Sequence, residues 1–294
     1  MSGRRWIIFG AGNAGRCALK HLGGERDIIG FADNDPAKHG QRIDGLPIHA
    51  PAELSGIPHD GLLIASEFFE AIQRTLVEQH GYPAARIEIA PAWMIKPMSF
   101  GGDTPTRALA RQLLIAVSGL LTAAGIRHHL EAGTLLGLVR EGDLIAWDND
   151  LDLAIAADDV PAAVRALGAG LRSLPEDARR GWTLAEQRAA TPFGPIPVGA
   201  VRSLKLGPSA DAGGCPALDV FPKYAKDGTS WWMLASRGMT APAAHLAQLD
   251  SVAFHGAVLP IPSRAEDYLS AMYGDWRTPK RDWHFGMYHN TTTF

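Results

Sequence analysis

Apolar and polar positions alternate on two different periods along this chain, and the changes of period divide it. Over the first ninety or so residues, short β-rich apolar runs at 6–9, 28–32, 62–65 and 87–90 are separated by stretches at 13–21 and 68–80 whose apolar residues recur at helical spacing. Strand and helix in alternation predict a parallel sheet covered by helices. The segment 91–105, framed by Pro91 and Pro105, breaks the pattern and reads as a linker. After it, a long apolar helix is predicted over 106–124, stopping at Gly125. These breaks predict two domains, 1–100 and 101–294. Frequent Ala and Arg over 161–188 predict further helix.

The period of two returns in the second domain with an acidic side. Residues 131–155 read EAGTLLGLVREGDLIAWDNDLDLAI. In a strand, side chains two apart share a face, so Asp148, Asp150 and Asp152 would line one side and Leu151, Leu153 and Ile155 the other. Carboxylates this close repel, and a divalent cation relieves them. Mg²⁺ suits such a site, with Mn²⁺ as its substitute, because it takes one or two carboxylates and completes its shell with water and phosphate oxygens. Asp219 lies within a second apolar run, 217–221; if that run pairs beside the first, the three acids meet and can orient a hydroxyl for in-line displacement at phosphorus. The competing reading is that acids around DND cap turns or solvate strand ends. It weighs most on Asp148 and least on Asp150 and Asp152, since buried strands seldom accept two unpaired charges. For Asp219, a salt bridge to an arginine is the alternative.

The N-terminal domain carries a different signal. In FGAGNAGR, Gly10, Gly12 and Gly15 hold the GxGxxG spacing between a predicted strand and a predicted helix, where glycine lets backbone N–H groups approach a pyrophosphate. Asp33 follows about twenty residues on, at the end of the next strand, where an acid can bond a ribose hydroxyl. The alternative is a tight turn with close helix packing and nothing bound. The domain is short for a full dinucleotide fold, with one mononucleotide half in view.

Composition narrows the classes. With 46% hydrophobic residues the chain can bury a core, and a formal charge of −3 without a long Lys/Arg run argues against nucleic-acid or anionic-membrane partners. Cys17 and Cys215 lack ligand or framework spacing, which fits a reducing cytoplasm. No signal-peptide core follows the N-terminal arginines, and the apolar stretch 113–125 is too short to span a bilayer, so a soluble protein without a transmembrane segment is expected.

Three stretches, 131–155, LDVFP at 218–222 and LPIPSRAEDYLSAMYGDWRTP at 259–279, resemble in order the LicD family, whose relatives include fukutin and the fukutin-related protein. The plan of a Gly-Thr pair, an acid-x-acid strand and a third acid on a later strand is that of the polymerase β-like nucleotidyltransferase fold. The resemblance implies an α/β nucleotidyltransferase-fold domain after the Rossmann-like sheet. It implies transfer of a phosphorylated alcohol, such as phosphocholine or ribitol phosphate, from a CDP-linked donor to a glycan hydroxyl in surface-polysaccharide assembly. It implies Asp150, Asp152 and Asp219 as catalytic metal ligands with Asp148 assisting, Gly133 and Thr134 as donors to the donor phosphates, and Arg140 as their counter-charge. Asn149 departs from the family, whose members often carry Asp or His there. The first third of the chain is similar to small Rossmann-like modules of bacterial glycan enzymes, some of which bind nucleotide sugars; this implies a nucleotide or nucleotide sugar at the glycine turn. Two other functions stay open: nucleotidyl transfer on the same fold, and a non-catalytic nucleotide-binding protein with structural acids.

Overall fold

A computed structural model describes residues 4–102, 104–175, 181–208, 215–234 and 237–293. It divides the chain into two compact units: Met1–Pro97 with Lys280–Met287, and Met98–Pro279 with Tyr288–Phe294. The segment Lys280–Met287 therefore belongs with the first unit, where the sequence reading placed it in the second domain. Among the described residues, no helix is long and apolar enough to cross a membrane.

In the first unit the elements run β1 (Arg5–Phe9), α1 (Asn13–Leu22), β2 (Asp27–Ala32), β3 (Arg42–Ile43), β4 (Leu46–His49), β5 (Gly61–Ile64), α2 (Phe69–Glu78) and β6 (Ile87–Ile89). The sheet order is β3-β4-β2-β1-β5-β6, parallel except for the β3–β4 hairpin. Ile7, Ile8 and Phe9 are buried along β1, as are all four residues of β5; a central parallel strand is covered on both faces and takes such unbroken apolar runs. The strands and helices expected here are present, and β5-α2-β6 adds the start of a second mononucleotide half. The β3–β4 hairpin was not foreseen, because two- and four-residue strands leave too little periodicity to read.

The second unit begins with α3 (Pro105–Ala123), entered through Thr104, whose hydroxyl accepts the Arg107 N–H, and through Pro105 at the first helical position. Then follow β7 (His128–Leu130), α4 (Ala132–Glu141), β8 (Asp150–Ala156), α5 (Val160–Gly170), β9 (Trp182–Arg188), β10 (Val201–Pro208), β11 (Ala217–Lys226), β12 (Thr229–Leu234) and β13 (Arg237–Pro242). The unit closes with α6 (Ala244–Ala247), the β14 (Leu249–Phe254) and β15 (Ala257–Pro262) hairpin, α7 (Ala265–Tyr273) and β16 (Thr291–Thr293). The helix expected over 161–188 stops at Gly170, and Trp182–Arg188 is a strand paired with β10. Glycine and a few bulky residues interrupt the Ala/Arg run there, and sheet pairing overrides the weak helical preference.

Strand β11 organises the larger sheet. Its first seven residues pair in parallel with β8, Leu218–Val220 also pair antiparallel with β10, and its last three residues pair with β12. β7 pairs with the far side of β8. Leu151, Leu153 and Ile155 are fully buried, and each such side chain contributes roughly 1.5–3 kcal/mol. The opposite side of β8 and β11 carries the polar residues.

In the first unit, α1 lies so close to β1 that a Cβ added at Gly15 would sit 1.9 Å from the Gly10 carbonyl oxygen, whereas one added at Gly12 would meet nothing within 4 Å. Gly15→Ala is expected to lower unfolding free energy in urea by about 1–3 kcal/mol, since overpacking against backbone cannot relax through a rotamer change. Gly12→Ala should lose less, and equal losses would show that the close approach does not decide stability.

Candidate active site

The β8–β11 pairing places Asp150 opposite Ala217 and Asp152 opposite Asp219. β10 continues the row, with Lys205 opposite Asp219. The expected meeting of Asp150, Asp152 and Asp219 on neighbouring strands is thus present. Asp148 is not on the strand: β8 starts at Asp150, and Asp148 lies in the preceding turn, its Oδ1 accepting the Asn149 N–H at 2.9 Å. Its other carboxylate oxygen lies 2.2 Å from where a Cβ on Gly133 would stand. Gly133 therefore admits the Asp148 carboxylate to the first turn of α4, where the positive end of the helix dipole favours a negative charge. Asn149, expected on the opposite strand face, precedes the strand as well.

Thr134 is buried, and its hydroxyl accepts the Asp152 backbone N–H at 2.9 Å. Its role here is to hold the acid strand against α4; contact with a donor phosphate, the expectation from sequence, conflicts with that burial. Ala132, at the entry to α4, has φ +45°, a strained value for a residue with a Cβ, and marks a sharp turn out of β7. Arg140 sits at the far end of α4, roughly 10 Å along the axis from Gly133. Its Nε donates to Glu141 at 3.0 Å and its Nη1 to the Trp276 carbonyl at 3.3 Å. There it complements the helix C-terminus and ties α4 to the segment after α7, so the structure does not bring it to the acids.

Burial of Asp152, together with the nearby charges of Asp150, Asp148, Asp219 and Glu131, pushes its carboxyl well above the usual carboxylate range. Asp219 is better compensated: Ser203 Oγ donates to its Oδ1 at 2.5 Å and Lys205 Nζ to its Oδ2 at 3.2 Å. The salt bridge weighed from sequence is real, but its partner is a lysine. Among the described residues, no group of three or more His, Cys, Asp or Glu side chains is gathered tightly enough to hold a metal ion. The expected four-ligand set of Asp148, Asp150, Asp152 and Asp219 is therefore a set of neighbours, with Asp219 engaged by Ser203 and Lys205. The donor set still fits Mg²⁺ or Mn²⁺, because one or two carboxylates suffice and Asp152 stands beside Asp219 across the paired strands.

Behind the acids lies a buried network that sequence reading missed. Glu131 pairs with Lys223 at 2.8 Å, accepts the Tyr268 hydroxyl at 3.0 and 2.9 Å, and its backbone N–H donates to the Asp152 carbonyl at 3.0 Å. Burial would raise the Glu131 carboxyl, yet Lys223, His129 and Tyr268 hold it below its ordinary value. Burial pulls Lys223 down to about 8, against the attraction of Glu131. His129, wholly enclosed, is pulled down to about 4 by burial, so both it and the buried His128 serve as neutral core residues. A period-two reading of LDVFPKY already places Lys223 on the Asp219 face, and the same reading of RSLKL places Ser203 with Lys205.

The glycine turn of the first unit forms a separate feature. Gly10 has φ +113°, and a cleft of about 260 Å³ is lined by Gly10, Gly12, Asn13, Asp33, Lys38 and Ser66 among others. It opens at the C-terminal ends of β1 and β5, where the strand order reverses, the usual ligand position in open α/β sheets. Asp33 Oδ2 accepts the Ala11 N–H at 2.7 Å and Lys38 Nζ at 3.0 Å, while Oδ1 accepts the Asp35 N–H at 2.9 Å. Burial works to raise the Asp33 carboxyl, but these donors hold it below its ordinary value. Asp33 thus ties β2 to the glycine turn, and any ribose bond must share oxygens already engaged.

Two outcomes follow for the second unit. The folded chain binds the Asp152 proton more tightly than the unfolded chain does, so above the ordinary carboxylate range this residue subtracts stability as pH rises toward its raised value. Without divalent cations, Asp152→Asn should melt higher than the parent at neutral pH, by about 2–4 °C for each kcal/mol regained, with the gap closing near about pH 4. A gap that widens on acidification would contradict the crowding. Lys223→Met, leaving Glu131 buried without its partner, should cost about 3–5 kcal/mol in urea unfolding; a loss under 1 kcal/mol would show the pair to be dispensable.

Comparison with known proteins adds to the geometry. Residues 125–264 match the family model for the LicD/FKTN/FKRP nucleotidyltransferase domain, and residues 2–88 match the C2185-like N-terminal model. Ribitol 5-phosphate transferase FKRP from Homo sapiens is 29% identical over 189 residues, covering 59% of this chain and 35% of the relative, and the Mus musculus protein matches to the same extent. The chain thus spans about a third of the length of the curated relatives it matches. Among solved structures, UDP-D-quinovosamine 4-dehydrogenase from Vibrio fischeri aligns at 22% identity over 30% of this chain and 76% of that one, with a TM-score of 0.23, too low to carry an argument. The matched residues 125–264 contain both the acid strand and its partner strand, so across that part of the second unit the chain is similar to the LicD/FKTN/FKRP nucleotidyltransferase domain.

Proposed function

We propose that the second unit transfers a phosphorylated alcohol, of the ribitol phosphate or phosphocholine type, from a CDP-linked donor to a glycan hydroxyl in surface-polysaccharide assembly. The observation that carries this reading is the row Asp152–Asp219 across paired parallel strands, with Asp150 one step nearer the start of β8. The family match and the name of the human relative, a ribitol 5-phosphate transferase, support the substrate class. In the transfer, a bond forms between the acceptor oxygen and the donor phosphorus, the bond from that phosphorus to the bridging oxygen breaks, CMP leaves with the bridging oxygen, and the acceptor hydroxyl's proton passes to solvent. Asp150 and Asp152 would hold a divalent cation, Mg²⁺ or Mn²⁺, which when bound neutralises phosphate charge and polarises phosphorus. Gly133 and Thr134 act on the acids themselves: the first admits Asp148 to the α4 terminus, and the second fixes the Asp152 backbone. Glu131 and Lys223 hold α4 and β11 in place from behind. The glycine-turn cleft of the first unit is proposed to take the phosphate portion of a nucleotide or nucleotide sugar, on the strength of its switch-point position and the open space at Gly12. Cys17 and Cys215 are free cysteines, as suits a reducing compartment, and we place the reaction in the cytoplasm.

Asp150→Asn and Asp152→Asn should each lower turnover with a CDP-alcohol by at least about 100-fold while circular dichroism stays that of the parent. Full activity in either variant would overturn the assignment. Mass spectrometry of the acceptor reads the transferred fragment: an added alcohol phosphate supports the proposal, and an added CMP selects nucleotidyl transfer on the same fold instead.

A further inference from the structure

Four carboxylates, Asp148, Asp150, Asp152 and Asp219, make the mouth of this site hostile to a donor whose phosphates are themselves anionic. During phosphoryl transfer, charge spreads over three equatorial oxygens, and sites for this chemistry supply a protein cation as well as a metal. The cation expected from sequence, Arg140, is committed to Glu141 and the Trp276 carbonyl at the other end of α4. Lys223 faces the acids from within, but its side chain is only 2% exposed and is held by Glu131. Lys205 differs from both. It occupies the acid row itself, opposite Asp219 on β10, and its side chain remains 42% exposed beside an Asp219 that is 11% exposed.

Resting on the transferase reading above, we propose that Lys205 is a catalytic residue that contacts the donor phosphate, and that its ion pair with Asp219 is the resting position from which it moves. A lysine suits this exchange because its ammonium is a point charge on a flexible stem, with three donors that can be shared between a carboxylate and a phosphate oxygen. The neighbouring leucines fix the strand while leaving the stem mobile: Leu204 and Leu206 are fully buried on the opposite side of β10. Ser203 keeps Asp219 oriented by donating to Oδ1, so the carboxylate retains one partner when Lys205 turns to the phosphate. The ion pair also screens Asp219 from its acidic neighbours until a cation or donor arrives.

The test uses the full chain carrying Lys205→Met or Lys205→Arg, with three readouts: melting temperature, Mn²⁺ affinity, and calorimetric affinity for CDP in the presence of Mg²⁺. Lys205→Met is expected to keep the parent melting temperature and to bind Mn²⁺ at least as tightly, since Asp219 loses a competing cation. Its CDP affinity should fall about 10- to 100-fold, as loss of one charged phosphate contact implies, with Lys205→Arg restoring part of it. With an active CDP-alcohol, kcat should fall more than KM rises. Parent-like CDP affinity in Lys205→Met would overturn the proposal. So would a joint loss of folding, Mn²⁺ and CDP binding, which marks a structural ion pair. If the parent enzyme transfers nothing from any CDP-alcohol, the transferase reading fails, and Lys205 is then judged by CDP affinity alone.

Discussion

Like charges held close together by backbone pairing are the constraint around which the second unit is arranged. Asp152 and Asp219 are held opposite one another by the β8–β11 ladder, and the Asp148 carboxylate lies at the mouth of α4. Burial first, and these neighbouring charges after it, hold the Asp152 carboxyl well above the usual carboxylate range. Such an arrangement stores unfavourable energy in the folded chain, and it persists because surrounding contacts over-determine it.

Those contacts are identifiable. Thr134 and Glu131 both bond the backbone of Asp152, one to its N–H and one to its carbonyl, so the acid is clamped by main-chain atoms whatever its protonation state. Glu131 in turn is tied to Lys223 and Tyr268, linking α4, β11 and α7. A buried ion pair of this kind adds little net stability, but removing one partner strands the other charge. The network therefore defines geometry more than it strengthens the fold. Lys205 and Ser203 perform a related task at the open side, where both bond the Asp219 carboxylate.

Much of this was legible in the residues, and the failures have physical causes. Long apolar runs and the period of two in DLDLAI gave the central strands and the shared face of Asp150 and Asp152. Asp148 was misplaced because a turn residue two positions ahead of a strand continues its alternation in sequence while leaving it in space. Thr134 and Arg140 are substrate contacts only by the family resemblance, which carries residue types over without their local partners. Only coordinates show the first bonded to backbone and the second turned to Glu141 and Trp276. The Glu131–Lys223 pair joins positions 92 residues apart, a separation that no local pattern spans, although the strand register of Lys223 was there to be read. In the first unit, the glycine spacing correctly marked a close helix approach and an open backbone at Gly12, while the engagement of both Asp33 oxygens depends on the loop reaching Lys38.

Crowded carboxylates serve phosphoryl transfer only if they create a cation site. Titrating Mn²⁺ into the metal-free chain, with bound ion followed by electron paramagnetic resonance, addresses that without requiring a known substrate. Saturable binding at neutral pH that is lost in an Asp150→Asn/Asp152→Asn double variant is the predicted result. Absence of binding in the parent chain even with CDP present, or equal binding in the double variant, would contradict it.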